Sequence, residues 1–124
     1  MAGELQIFDI GSLKAAADLS LKQYYIVLIT AADKVNLCGN GGEAIGVLQN
    51  KPAANNRSAQ VRIVGISQIE WGATVAAGAK VMSDANGKGI TATAGKKYIG
   101  RTIEGGDSGD RGTILMEQGY QPAD

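Results

Sequence analysis

The stretch YYIVLIT, residues 24–30, decides the fold class of this chain. It is rich in β-branched and aromatic side chains, which favour the extended backbone of a strand. It is also a short, continuous apolar run, which is typical of a strand that lies inside a protein. We therefore expect residues 24–30 to form a strand buried on both faces.

Strand signals recur at short intervals on the C-terminal side of this stretch. Residues 60–64, QVRIV, alternate polar with apolar side chains, which is the period of a half-buried strand, and Gly65 then offers a corner. Residues 84–87, DANG, predict a hairpin turn in which glycine supplies a positive φ. Eight or nine short strands at this spacing predict an all-β fold, a small single-domain β-sandwich or barrel of antiparallel strands. The other predicted strands are residues 35–37, 45–49, 66–71, 80–83, 90–92, 98–104 and 113–117.

One pattern occurs twice in the chain. Residues 45–49 begin with Ile-Gly, and a polar loop and a returning strand at 60–63 follow them. Residues 99–103 also begin with Ile-Gly, and their returning strand lies at 112–116. We interpret each copy as a β-hairpin. The sequence GGDSGD, residues 105–110, then occupies a hairpin tip, where Gly, Asp and Ser are favoured for their turn chemistry.

GGDSGD also resembles the setting of a protease nucleophile, so Ser108 needs to be weighed. A serine requires a base within hydrogen-bond reach, usually histidine, and this chain has none. Lys88, Lys96 and Lys97 precede the serine, but none has the S-x-x-K spacing of a Ser-Lys hydrolase. The carboxylates are scattered and form no convincing acid–base pair. We therefore interpret Ser108 as a loop residue and predict no catalytic residue and no enzyme.

Composition argues against several partners. Twelve basic residues balance twelve acidic ones, so neither nucleic acid nor a membrane surface is expected as a partner. With no histidine and a single cysteine, Cys38, neither a disulfide within the chain nor a zinc site is expected. No apolar run is long enough to span a bilayer, and the first residues lack the pattern of a signal peptide. We expect a soluble protein.

Two further motifs resemble ligand-binding sites, but the residues around them do not support ligand binding. Residues 39–44, GNGGEA, match G-x-G-x-x-A, but a strand follows them where a dinucleotide site needs a helix. Asp107 with Asp110, and Asp84 with Asn86, lack the spacing of a calcium loop, so we interpret them as turn residues. No cofactor, metal or small-molecule substrate is predicted.

The N-terminal residues differ from the rest. We divide the chain into an arm, residues 1–22, and a β-domain, residues 23–124. Residues 13–19 could form a short helix with Ser12 as its N-cap, although such a helix is too short to be stable alone. The arm is expected to pack on something, either its own domain or a partner.

Three aromatic residues leave alternatives open. Trp71 is the only tryptophan, and it could cap the core, anchor an interface or serve as a platform for a sugar ring. Tyr24 and Tyr25 are neighbours on a predicted strand and so face opposite sides, which predicts one core residue and one interface residue.

Several stretches together resemble the small capsid decoration proteins, or head cement proteins, of tailed bacteriophages. They are DLSLKQYY (18–25), AIGVLQNKP (44–52), AQVRIVG (59–65), VAAGAKVMSDANGKG (75–89) and YIGRTIEGGDSGD (98–110). The resemblance covers nearly the whole chain. It implies a compact β-domain whose N-terminal arm attaches to the outside of a phage head, with no substrate and no cofactor. It also implies a homotrimer that clamps neighbouring major capsid protein subunits, and the role of the tail after the last strand, residues 118–124, stays open.

We therefore expect a structural virion protein, assembled in the host cytoplasm and located on the capsid exterior, that stabilises the major capsid protein lattice. The alternative is a glycan-binding β-sandwich of a phage tail or other surface structure, with Trp71 and a tyrosine as its stacking platform. The candidate residues for contact with the capsid or with other subunits are Leu5, Ile7, Phe8, Leu13 and Leu19 in the arm, with Tyr24 and Trp71 in the β-domain.

Overall fold

The computed structural model describes residues 7–122, and this part of the chain consists of ten β-strands joined by turns, without a helix. The strands are β1 (Phe8–Ala15), β2 (Ile26–Ala31), β3 (Lys34–Leu37), β4 (Gly46–Leu48), β5 (Ser58–Val64), β6 (Ile66–Glu70), β7 (Lys80–Ser83), β8 (Gly89–Thr91), β9 (Lys97–Glu104) and β10 (Arg111–Tyr120).

The first five strands form a closed barrel in the order β1-β3-β2-β4-β5. Neighbouring strands are antiparallel, except that β1 and β3 are parallel. Strand β1 therefore pairs on both sides and closes the barrel. The barrel encloses a cluster of small and branched apolar side chains: Leu13, Ala15, Leu19, Val27, Val35, Leu48, Ala59 and Val61.

The last five strands form an antiparallel sheet in the order β6-β10-β9-β7-β8. Its two outermost strands approach each other at one end, where Trp71 and Gly89 form an isolated bridge. The inner face of this sheet packs on the barrel and forms a second buried cluster that both parts share. This cluster includes Ile26 and Val47 from the barrel and Ile69, Trp71, Val81, Ile99 and Ile114 from the second sheet.

The two copies of the repeated pattern form the hairpins β4–β5 and β9–β10, one in each sheet, as predicted. Both copies need their glycine for the same physical reason. A Cβ atom at Gly46 would overlap the carbonyl oxygen of Arg62, and one at Gly100 would lie 2.7 Å from the carbonyl oxygen of Leu115. The glycines allow each partner backbone to approach closely.

The predicted all-β fold is confirmed, and so are its turns. Gly65 has a φ of 107° at the corner between β5 and β6, where the chain leaves the barrel for the second sheet. Gly87 has a φ of 84° in the turn between β7 and β8. In each place only glycine adopts the required backbone without strain.

Two local predictions were wrong. Residues 13–15 lie in strand β1 and no helix forms over 13–19, because the backbone of this segment pairs with both β3 and β5. Strand β2 begins at Ile26, and only its first half is buried on both faces, since Ile29 is exposed. Tyr24 lies in the turn before β2 and has a φ of 70°, in the left-handed region, so the predicted strand cannot start there.

Candidate functional site

The structure separates the predicted contact residues of the arm into two groups. Ile7 precedes β1 and Phe8 is its first residue, and their side chains are 48% and 57% exposed. Leu13 and Leu19 are buried in the barrel, so they stabilise their own domain and offer no surface to a partner. Leu5 lies outside the described residues. The described part of the arm thus packs on its own domain, and the boundary after residue 22 stays a prediction.

Trp71 is fully buried, with no exposed area. A Cβ atom at Gly89 would lie 2.9 Å from the indole ring, and one at Gly112 would overlap its Nε1 atom, so the surrounding glycines make room for the ring. The Nε1 atom finds no hydrogen-bond partner within residues 7–122. A ring in this position serves the core, and it can neither stack on a sugar nor anchor an interface.

The two adjacent tyrosines differ in exposure, although neither lies in a strand, and the predicted interface role stays a prediction. Tyr25 is buried, whereas Tyr24 is partly exposed at the edge of the core that both sheets share. The guanidinium carbon of Arg111 lies 4.8 Å from the ring centroid of Tyr24, a cation–π distance. Tyr24 therefore remains a candidate contact residue.

Several exposed apolar side chains lie along the strands that join the barrel to the second sheet. Phe8 on β1 lies opposite Val64 on β5, and Ile66 follows Val64 after the corner at Gly65. Because Ile66 in turn lies opposite Leu115 on β10, these residues share one face. On β9 the residue opposite Leu115 is Arg101, and the exposed Ile103 lies two residues further along, at a shift in the pairing with β10. The apolar stripe, as we name this surface, consists of Phe8, Val64, Ile66, Leu115 and Ile103.

The apolar stripe is exposed and has a charged rim. Ile66 is half-buried, and the other four side chains are between 44% and 57% exposed. Two ion pairs flank the stripe on the second sheet: Arg101 with Glu117 at 3.2 Å, and Arg111 with Glu70 at 3.3 Å. An apolar centre with a polar rim is the usual anatomy of a protein–protein interface.

A partly buried ion pair holds the arm end of the stripe in place. The Asp9 carboxylate accepts hydrogen bonds from Arg62 Nε at 2.8 Å and from Gln60 Nε2 at 2.8 Å. Arg62 also donates through Nη1 to the carbonyl oxygen of Ile66. The hydrogen bonds from Arg62 hold the pKa of Asp9 below its ordinary value. The network links β1, β5 and β6, so Phe8 is presented from a fixed backbone.

Four residues of the stripe were not among the predicted contact residues: Val64, Ile66, Leu115 and Ile103. An apolar run does not show which side chains of β10 point inward: Ile114 is buried, whereas the adjacent Leu115 is exposed. On β6 the usual pattern is inverted, since polar Ser67 points inward and Ile66 outward. The period of two would mark the outward side chains once one inward neighbour was known.

Ser108 lies in a turn and Cys38 lies in the core, positions that account for both residues without a chemical role. Ser108 is exposed at the tip of the β9–β10 hairpin, which Asp110 stabilises through hydrogen bonds with Asp107, one donated by each backbone amide. Cys38 is buried, and burial raises the pKa of its thiol, which disfavours the reactive thiolate. Within residues 7–122 there is no ligand-sized cavity and no cluster of potential metal ligands. Nor does this part of the chain contain a helix long and apolar enough to cross a membrane.

The described residues thus form an all-β domain with large apolar side chains exposed on its outer surface. The family model of the phage cement protein matches residues 11–118, so the chain belongs to the phage cement protein family. The resemblance found in the sequence is thereby confirmed, and the protein is a structural protein of the phage head.

A solved structure is similar in fold. It is the N base of the head fiber gp8.5 of bacteriophage phi29, with a TM-score of 0.69 and 13% sequence identity over 92% of this chain and 95% of that one. At this identity the likeness concerns the fold alone. A search of curated proteins found no match.

Proposed function

We propose that this protein binds the outer surface of a tailed-phage head and cements the lattice of the major capsid protein. The observation that carries the proposal is the apolar stripe, an exposed row of large apolar side chains on a member of the cement family. Burying such side chains against a partner removes apolar surface from water, which is the main driving force of association.

The rigidity of the support favours this role. The barrel is closed, and the stripe residues lie on paired strands rather than on loops. A surface that is already ordered loses little conformational freedom on binding, so more of the contact energy appears as affinity. Ile7 and Phe8 at the start of β1, and Tyr24 at the far end of β6, are the predicted contact residues that remain available.

Higher-order assembly is part of the proposal. A homotrimer at the three-fold positions of the lattice would engage several capsid subunits at once, and the linked contacts would strengthen one another. The role is structural and not catalytic. We place the protein on the capsid exterior, after assembly in the host cytoplasm, with no nucleic acid, membrane or small molecule as partner.

The proposal is tested on density-purified particles of the phage that encodes this chain. We expect a 12.8 kDa band at about one copy per major capsid subunit, the stoichiometry that repeated three-fold binding gives. Particles without the protein should release their DNA at a lower temperature, and adding the purified protein should restore the original value. A few copies per particle would point to the tail or a vertex, and the absence of the band would contradict the proposal.

A further inference from the structure

A second surface feature lies at the other end of the β6–β10 pair. The ammonium nitrogens of Lys22 and Lys88 lie 5.0 and 5.9 Å from the ring centroid of Tyr25. Arg111 covers the neighbouring Tyr24 in the same way. We name these five residues the cation–tyrosine cluster. It brings three cations from three separate parts of the chain to two adjacent rings.

The charges of this cluster are only partly balanced. Arg111 is paired with Glu70, but Lys22 and Lys88 form no ion pair with any carboxylate in residues 7–122. Asp84, in the turn before Lys88, is engaged, because its Oδ1 atom accepts the backbone N–H groups of Asn86 and Lys88. The face of a tyrosine ring attracts a cation but carries no net charge. The carboxylates of Glu70 and Asp84 keep their negative charges, so three cations face two carboxylates and the cluster keeps one positive charge.

The backbone fixes both lysines near the ring. The N–H of Lys22 donates to the carbonyl oxygen of Leu19 at 3.0 Å, and the N–H of Tyr25 donates to that of Lys22 at 3.1 Å. Lys88 is held by its bond to Asp84. Both lysine side chains are half-buried, so they retain less freedom than surface lysines. A ligand meets cations that are already in position.

We propose that the cation–tyrosine cluster binds a carboxylate-rich segment of a protein partner. An acidic segment supplies the opposite charge that Lys22 and Lys88 lack, and charge complementarity favours both encounter and the correct orientation. Nucleic acid fits less well. The cations already lie over the tyrosine rings, so bases cannot stack freely there, and the chain as a whole carries no net charge.

The position of the cluster identifies the partner. Glu70 and Ile66 lie four residues apart on β6 and face the same side, which places the cluster about 13 Å from the apolar stripe. A protein that covers the stripe would reach the cluster with a neighbouring loop or strand. In this respect the inference rests on the proposed function: the acidic segment belongs to the capsid subunit that the stripe contacts.

The test uses the intact chain and a labelled oligoglutamate peptide as the probe, with binding followed by fluorescence anisotropy at low salt. The variant Lys22→Met with Lys88→Met keeps the aliphatic cover over Tyr25 and removes both charges. We expect this variant to bind the peptide at least about tenfold more weakly. The matched control, Lys14→Met with Lys51→Met, removes the same charge from two exposed lysines outside the cluster and should bind like the wild type.

Three results would overturn the inference. Unchanged peptide binding by Lys22→Met with Lys88→Met would mean that the lysines only shield Tyr25. An equal loss in the control pair would show a general effect of charge. Tighter binding of a DNA oligonucleotide of the same length would favour nucleic acid. The peptide assay contains no capsid, so its failure is distinct from failure of the proposed function, which the particle experiment detects. Thermal unfolding of each variant confirms that it is folded.

Discussion

The two hairpins of the repeated pattern have the same local design and different surroundings. In the barrel, β5 lies between β4 and the N-terminal strand β1, and the closed barrel leaves no free edge. In the second sheet, β10 lies between β9 and β6, and the outer strands β6 and β8 meet only at the Trp71–Gly89 bridge. The same hairpin pattern can therefore form part of a closed barrel or part of an open sheet with an exposed outer face. The added strand β1 makes the difference.

Of the changes considered, we expect the loss of Trp71 to destabilise the protein most, because this side chain lies in the core shared by the barrel and the second sheet. Trp71→Ala removes the largest fully buried side chain of the shared core, and we expect it to lower the free energy of unfolding by about 4 kcal/mol. Urea unfolding followed by circular dichroism measures the change. The control Leu21→Ala alters an 86% exposed side chain and should change the free energy by less than about 0.5 kcal/mol. A loss below about 1 kcal/mol for Trp71→Ala would contradict the shared core.

Substituting the glycine of each copy of the repeat tests whether both hairpins depend on a close backbone approach. Gly46→Ala places a Cβ atom against the carbonyl oxygen of Arg62, and we expect a loss of about 3 kcal/mol. Gly100→Ala makes the looser contact with Leu115 and should cost about 2 kcal/mol. Gly11→Ala on β1 meets nothing within 4 Å and serves as the control. Equal and small effects at all three positions would disprove the close approach.

Acid should weaken the attachment of β1, because the Asp9 carboxylate that accepts hydrogen bonds from β5 becomes protonated. The pKa of Asp9 is lower in the folded chain, so its contribution is present above the unfolded pKa and is lost as pH falls through the folded value. Asp9→Asn should therefore cost about 1 kcal/mol at pH 7 and much less once the pH has fallen through the folded pKa of Asp9. Unfolding at a series of pH values measures this step. If wild type and variant lost stability in parallel on acidification, the ion pair with Arg62 would not be its source.

The smallest expected effect concerns the end of β10, where it reaches back to the barrel. The Tyr120 hydroxyl donates to both carboxylate oxygens of Glu43, at 2.7 and 2.8 Å, and this hydrogen bond raises the pKa of Tyr120. Glu43→Gln should bring that pKa back toward its ordinary value. Ultraviolet titration measures it, with Tyr120→Phe in each background isolating the signal of this tyrosine. An unchanged titration curve would mean that the contact does not persist in solution.

Most of the fold could be predicted from the sequence, because its strands are short and sharply bounded. Alternation in residues 60–64 and the glycines at the turns located the strands and their corners. Strand β1 was missed. Its pairing with β3 joins distant parts of the chain, and the segment contains Gly11 and Ser12, which weaken a local strand signal.

The candidate surface was harder to predict than the fold. The sequence does not distinguish an apolar residue that is buried in its own domain from one that is exposed to a partner. The structure shows that Phe8 is exposed and Leu13 is buried. The stripe also depends on the register between β6 and β10, which no local pattern encodes. Deleting residues 1–20 would remove β1 and open the barrel, so the contact role of the arm has to be tested with single substitutions.

Co-sedimentation with phage particles that lack this chain tests the central claim most directly. Three folded proteins are compared: the wild type, Leu115→Asp in the apolar stripe, and Ile29→Asp on an exposed side chain of β2 that lies outside both the stripe and the cation–tyrosine cluster. We predict that wild type and Ile29→Asp sediment with the particles, while Leu115→Asp binds at least about tenfold more weakly, since a charge at the centre of an interface must be desolvated. Undiminished binding of Leu115→Asp, or an equal loss in Ile29→Asp, would contradict the role of the stripe.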